Sequence, residues 1–246
     1  MKKSAIFFNG DPKHLTYRVY DENTRQKLRE TLDLPEDIIL AKDLEAERDR
    51  LAGVSYIFTT WGMPSLSEEQ IREYFPKLEA VFYAAGSVQR FARSFLNCGV
   101  KVFSAWAANA VPVAEFTVAQ IILAGKGYFQ GLRLQETQGR KAFSDYSNSF
   151  PCNYGVKIGI LGAGMIGSLV LRMLRNYQLE TLVYDPFASD EHLRSLGATR
   201  ASLEEIFSEC QTITNHIANL PTTQHILRYE HFSRMKKNAT FINTGR

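Results

Sequence analysis

The run Val156-Lys157-Ile158-Gly159-Ile160-Leu161-Gly162-Ala163-Gly164-Met165-Ile166-Gly167 narrows the folds open to this 246-residue chain more than any other segment. An apolar strand leads directly into Gly-x-Gly-x-x-Gly and then into a helical pattern, Ser168 to Tyr177. The three glycines serve different physical ends. Gly162 permits the tight turn, Gly164 lets the backbone come into contact with a pyrophosphate, and Gly167 lets the helix pack closely on the strand. The amides around Met165 and Ile166, with the positive end of the helix dipole, then face the phosphates. A second strand, Thr181 to Tyr184, ends at Asp185, 18 residues past Gly167. That is close to the roughly 20-residue interval expected of an acid that binds the adenosine ribose. A carboxylate there accepts from the 2′ and 3′ hydroxyls and repels a 2′-phosphate, which predicts NAD rather than NADP; Pro186 and Phe187, not arginine, follow it. The plainer alternative is a glycine-rich turn without a ligand and an Asp that starts a turn before proline.

Short β-rich runs alternate with helical patterns along most of the chain, the signature of βαβ units around a parallel sheet. In the first part the expected strands are Ser4 to Phe8, Ile38 to Ala41, Tyr56 to Thr59, Ala80 to Tyr83 and Val100 to Phe103. Helices are expected over Glu22 to Leu32, Leu44 to Leu51, Ser67 to Tyr74 and Val88 to Leu96, with Ser67 and Gln70 as a capping box and Gly99 closing the last. An apolar helix from Asn109 through Pro112 to about Lys126 has apolar residues on so many faces that near-complete burial is expected. Residues 127 to 153, rich in Gly, Gln, Arg and Ser, read as a long crossing arm. The expectation is an α/β protein of two domains, 1–107 and 108–246.

Partners are bounded by charge and cysteines. The net charge is only +3, with no basic block or acidic tail, so neither nucleic acid nor an anionic membrane is indicated. Cys98, Cys152 and Cys210 are odd in number and in no CxxC pair, which speaks against a disulfide framework or a zinc site. The most apolar stretch, 111–125, is interrupted by Glu115 and Gln120, whereas a membrane span needs about 20 mostly apolar residues. A soluble cytoplasmic protein is expected.

Six segments in order resemble the D-isomer-specific 2-hydroxyacid dehydrogenase family: Ala84-Ala85-Gly86-Ser87-Val88, Val113-Ala114-Glu115-Phe116, Gly159 to Gly167, Tyr184-Asp185-Pro186, His216 through Pro221-Thr222-Thr223, and Met235-Lys236 with Ile242-Asn243-Thr244-Gly245-Arg246. The resemblance covers roughly residues 80 to 246. It implies a flavodoxin-like substrate domain ahead of a Rossmann-type doubly wound NAD domain, and a homodimer that interconverts 2-oxo and D-2-hydroxy acids.

By its match to the family's Asn-x-x-Arg segment, Arg246 resembles the catalytic arginine, whose planar fork can grip carboxylate and carbonyl oxygens together. Gly86-Ser87-Val88 opens the predicted helix after the strand Ala80 to Tyr83, so its amides can nest the substrate carboxylate, as this loop does in the family. Capping by Ser87 alone uses the same geometry. Asn109 resembles an asparagine near the family's cleft, and an N-cap explains it equally well. His216 and Ile217 match the wall on the nicotinamide side, with Ala218 where the family usually has proline; Asn243, Thr244 and Gly245 complete that side.

His14, His192, His216, His225 and His231 are the available general acids, and only His216 ends a predicted strand. In the family the acid is a different histidine, paired with a glutamate, and both lie beyond the arginine segment. The sequence here ends at Arg246, so the expectation is a shortened dehydrogenase with an incomplete second sheet of five strands, able to hold adenosine and pyrophosphate. The competing expectation is an NAD-sensing binding module of the corepressor kind, without turnover.

Overall fold

A computed structural model describes residues 2–13 and 15–245; Arg246 and His14 lie outside the described residues. The chain divides into two compact units, Met1–Asn109 and Ala110–Arg246, two residues beyond the boundary expected at 107.

The first unit holds β1 (Lys3–Asn9), α1 (Thr16–Val19), α2 (Glu22–Thr31), β2 (Leu32–Asp33), β3 (Ile38–Leu40), α3 (Arg48–Leu51), β4 (Tyr56–Thr59), α4 (Glu68–Tyr74), β5 (Ala80–Tyr83), α5 (Ala92–Asn97) and β6 (Lys101–Ser104). All its strand pairs are parallel, in the order β2-β1-β4-β5-β6, with β3 also on β1. With β2 and β3 taken as one interrupted strand, this is the flavodoxin-like order. Burial on both faces explains the unbroken apolar run of β1: Ile6 and Phe8 pack on one side, Ala5 and Phe7 on the other. Parallel register brings Phe58, Phe82 and Phe103 side by side, and their rings stack at 5.1 Å.

The second unit continues α6 (Trp106–Ala124), which spans the boundary, and adds α7 (Tyr128–Gln138), α8 (Arg140–Ser147), β7 (Val156–Leu161), α9 (Met165–Leu174), β8 (Leu179–Tyr184), α10 (Asp190–Ser195), β9 (Thr199–Arg200), α11 (Leu203–Glu209), β10 (Thr212–Asn215), α12 (Tyr229–Phe232) and β11 (Thr240–Asn243). Its five strands are parallel in the order β11-β10-β7-β8-β9. Counted from β9 this is third, second, first, fourth, fifth, the Rossmann order, which changes direction at β7. Ile158 and Ile160 pack with α9 and with Ala114, Val118 and Ile121 of α6, while Leu161 and Ile213 pack with Ile206 and Phe207 of α11.

Several local expectations held for the reasons given. Ser67 and Gln70 form a reciprocal capping box. Gly99, at φ +80°, closes α5, and the Val100 amide donates to the Phe95 carbonyl at 3.0 Å.

Four expectations fail. The helix expected over Leu44 to Leu51 is only Arg48–Leu51. The helix expected from Val88 begins at Ala92, because a turn intervenes: the amides of Phe91 and Ala92 both donate to the Val88 carbonyl. Gly86-Ser87-Val88 therefore does not open a helix. The apolar helix starts at Trp106 rather than Asn109 and carries Pro112 inside it; only 33% of its most apolar window is buried, and Phe116 is 59% exposed. With mean hydropathy 1.5 this helix is long and apolar enough, by length and composition alone, to cross a membrane. Finally, 127–153 is no extended arm but the pair α7 and α8, joined at Gly139 (φ +85°). Gly131, read as loop composition, is where the Phe143 ring of α8 meets the backbone of α7, at 2.8 Å from the point a Cβ would occupy.

Candidate functional site

The carboxyl ends of β7, β8, β10 and β11 lie at the reversal of strand order, where doubly wound sheets bind ligands. Gly162 follows β7 with φ +89°, and its amide donates to the Tyr184 carbonyl at 2.8 Å, tying the turn to β8. A side chain on Gly167 would run into the Gly162 carbonyl oxygen, so the close approach of α9 to the turn requires hydrogen there. Gly164 is different: it caps α9, and nothing lies within 4 Å of where its Cβ would stand. The space in front of this backbone is open, and no side chain caps the helix. Met165 and Ile166 follow at the helix start, Met165 exposed at 39% and Ile166 against the core. Such a terminus offers unpaired amides to an anion.

Asp185 binds this loop directly. Its Oδ2 accepts the Ala163 amide at 2.7 Å, and its Oδ1 accepts the amides of Phe187 and Ala188 at 2.8 and 3.0 Å. A carboxylate has about four acceptor sites, so one remains for a ribose hydroxyl. Ala163 was not among the sequence candidates, and neither was Ser168. The buried Ser168 hydroxyl donates to the Ala163 carbonyl at 2.7 Å and so pins the loop from the helix side. Nothing in the spacing of residues points to either contact. The residues present thus fit a diphosphate and a ribose: an open backbone, an uncapped helix and an oriented carboxylate.

On the other side of the sheet reversal, the half-buried His216 ring lies between two hydroxyls, with Nδ1 2.8 Å from Thr244 Oγ1 and Nε2 3.2 Å from Thr214 Oγ1. Burial pushes its pKa down to about 4, so the ring is neutral at pH 7. With a hydroxyl at each nitrogen, the ring ties the end of β10 to the turn after β11. Thr214 and Thr244 are thus the structural partners that the sequence reading of His216 lacked. Asn215 was missed too. Its Nδ2 donates to Asn243 Oδ1 at 3.1 Å, and its Oδ1 accepts the Ile217 amide at 3.1 Å. Asn243 Oδ1 also accepts the Gly245 amide, and a Cβ on Gly245 would meet the Ile217 carbonyl at 3.0 Å. Asn215, Ile217, Asn243 and Gly245 line a cavity of about 600 Å³, together with Ala218 and residues of the 219–227 loop. Arg246 would follow this turn but lies outside the described residues.

In the first unit, Gly86 and Ser87 follow β5, and Ser104 Oγ donates to the Gly86 carbonyl at 2.5 Å. Ser87 Oγ accepts only a long 3.5 Å contact from the Gln89 amide, so it caps no helix. Asn109 is not an N-cap either, because its own amide donates to the Ala105 carbonyl inside α6. Its Nδ2 instead stands 3.1 Å from the point a Gly86 Cβ would occupy, which brings these two candidates together. Among the described residues, no group of three or more His, Cys, Asp or Glu is placed to hold a metal ion.

Residues 121–246 match the family model for the NAD-binding domain of D-isomer specific 2-hydroxyacid dehydrogenases. A 2-hydroxyacid dehydrogenase homolog of Haemophilus influenzae is 34% identical over 93 residues, 38% of this chain and 28% of that protein. A D-3-phosphoglycerate dehydrogenase of Methanocaldococcus jannaschii is 30% identical over 152 residues, 60% of this chain and again 28% of the relative. The chain therefore spans well under two thirds of these relatives. In fold, the D-mandelate dehydrogenase of Rhodotorula graminis superposes with a TM-score of 0.76 at 18% identity, over 100% of this chain and 74% of that one.

Proposed function

The chain belongs to the D-isomer specific 2-hydroxyacid dehydrogenase family, and on that premise we propose that it serves the NAD-linked interconversion of a 2-oxo acid and a D-2-hydroxy acid. The observation that carries this reading is the open face of Gly164 at the head of α9, with the Asp185 carboxylate bound to the same loop. Bound NAD supplies or accepts the hydride. The chain's own part is positional: the Gly162 to Gly167 backbone takes the diphosphate, Asp185 the adenosine ribose, and the braced turns at His216-Ile217 and Asn243-Thr244-Gly245 the nicotinamide side.

For the substrate we assign its carboxylate to the amides of Gly86, Ser87 and Val88, beside Asn109, and its carbonyl oxygen to Arg246. A guanidinium stabilises the oxygen as negative charge develops there. We assign His216 to the cofactor side rather than to the acid's role, a reading its ring, in contact with a hydroxyl at each nitrogen, supports. We further assign the protein to the cytoplasm as a homodimer, in which a second copy covers exposed apolar residues of α6 and α7 such as Phe116, Phe129 and Leu132.

The test is a titration with NADH and NADPH, followed by NADH oxidation with glyoxylate, pyruvate, hydroxypyruvate and 3-phosphohydroxypyruvate, using the protein with whatever sequence flanks it in its gene. Tighter binding of NADH, and a D-configured product from at least one acid, are expected. Absence of NADH binding, or an L-configured product, overturns the proposal.

A further inference from the structure

Arg200 has no part in the assignments above, yet it makes the densest set of contacts near Asp185. It ends β9 directly opposite Val183 of β8, and the Ala201 amide fastens the pairing through the Val183 carbonyl at 2.9 Å. From this anchored position the guanidinium reaches past the end of β8. Nη1 donates to the Asp185 carbonyl at 2.6 Å, Nη2 to the Ala188 carbonyl at 2.5 Å, and Nε to Asp190 Oδ1 at 2.5 Å. Three of the five guanidinium N–H groups are thus directed at one short segment, residues 185–190.

The same turn holds the Asp185 carboxylate, because the amides of Phe187 and Ala188 donate to its Oδ1. Arg200 fixes the carbonyls of the turn, the turn's amides fix the carboxylate, and the carboxylate's other oxygen meets Ala163 in the phosphate loop. The ion pair with Asp190 is a small part of this, since both side chains are well exposed, at 39% and 61%. The planar fork matters more: it satisfies three acceptors on three residues at once, which a lysine ammonium on a flexible stem cannot do in the same geometry.

We propose that Arg200 is a positioning residue for the adenosine half of the dinucleotide, setting the Asp185 carboxylate where it selects a free ribose over a 2′-phosphorylated one. This rests on the reading of Asp185 as the ribose acid. Its three bonds hold Arg200 on the turn, so its effect on selectivity runs through Asp185.

The test uses calorimetric titration with ADP-ribose and with its 2′-phosphorylated form, on the whole protein. R200Q is expected to weaken ADP-ribose about tenfold and the phosphorylated form much less, so that the ratio of the two dissociation constants falls by nearly the same factor. R200K, which keeps the charge without the fork, is expected to behave like R200Q and to carry the test should R200Q fail to fold. Equal weakening of both ligands, or rescue by R200K, overturns the proposal by showing a merely structural or merely electrostatic role. ADP-ribose affinity unchanged in R200Q but lost in D185A sinks the Arg200 proposal alone. A wild-type protein that binds neither ligand sinks the ribose reading of Asp185 and this inference with it.

Discussion

The Asp185 carboxylate accepts the backbone amide of Ala163 at 2.7 Å, so the acid at the end of β8 and the glycine turn at the end of β7 are one hydrogen-bonded unit. Asp185 therefore holds the loop, and under the proposed function it also meets the ribose. Replacing it with Ala leaves the amides of Ala163, Phe187 and Ala188 without their acceptor. An unpaired, partly buried amide costs on the order of 1 kcal/mol or more. D185A is expected to lower the unfolding midpoint, weaken NADH about tenfold or more, and relax its preference over NADPH. Isothermal titration beside a melting curve measures all three; unchanged discrimination between the cofactors counts against the ribose role.

Gly164 and Gly167 have the same chemistry and opposite expected phenotypes. A methyl at Gly164 enters open space, whereas one at Gly167 collides with the Gly162 carbonyl. G164A should therefore fold with stability within about 0.5 kcal/mol of wild type, as surface changes usually do, yet bind NADH at least tenfold more weakly if, as proposed, the diphosphate lies where the methyl would stand. G167A should lose about 1 to 3 kcal/mol from overpacking. Urea unfolding paired with NADH fluorescence separates them, and a G164A protein that binds NADH normally would remove the phosphate assignment.

These contrasts show what a sequence carries and what it does not. The strand, turn and helix at Val156 to Gly167 were legible because three short-range constraints coincide there, and the strands Tyr56–Thr59, Ala80–Tyr83 and Val156–Leu161 fell where their β-rich runs put them. Gly131 misled because glycine marks both loops and close helix crossings, and only the Phe143 ring packed against it tells which. The apolar residues of α6 misled in the opposite sense: Ala114, Val118 and Ile121 face the core, but Phe116 is left exposed. Arg200, Ala163 and Asn215 act through contacts 15 to 28 residues distant in sequence, so no local pattern announces them.

His216 makes stability depend on pH. Its pKa is near 6.5 when unfolded and is held at about 4 by burial in the folded protein. Between those values the unfolded chain binds the extra proton, so this contribution is complete above about pH 6.5 and is lost as pH falls toward 4. Arithmetic at 1.36 kcal/mol per pKa unit gives a loss of about 2 kcal/mol between pH 7.5 and 5. H216Q, which has no titrating ring, should flatten the dependence by that amount. Urea midpoints at the two pH values decide it, and an unaltered slope in H216Q would assign the effect elsewhere.

Cys210 is fully buried among Ile206, Phe207 and Ile213, and burial pushes its thiol up to about 12. Thiolate is the reactive form, so at pH 8 only about one molecule in ten thousand carries it, and the packing around it denies access to a reagent. Cys98 and Cys152 are only half-buried. Iodoacetamide on the native protein should modify those two, and Cys210 should react only on unfolding. Peptide mapping by mass spectrometry along a urea gradient provides the measurement: Cys210 labelling should track the global transition. If it rises well before that transition, α11 opens locally, and the packing of Ile206 against Gly159 of β7 is weaker than the close contact between them implies.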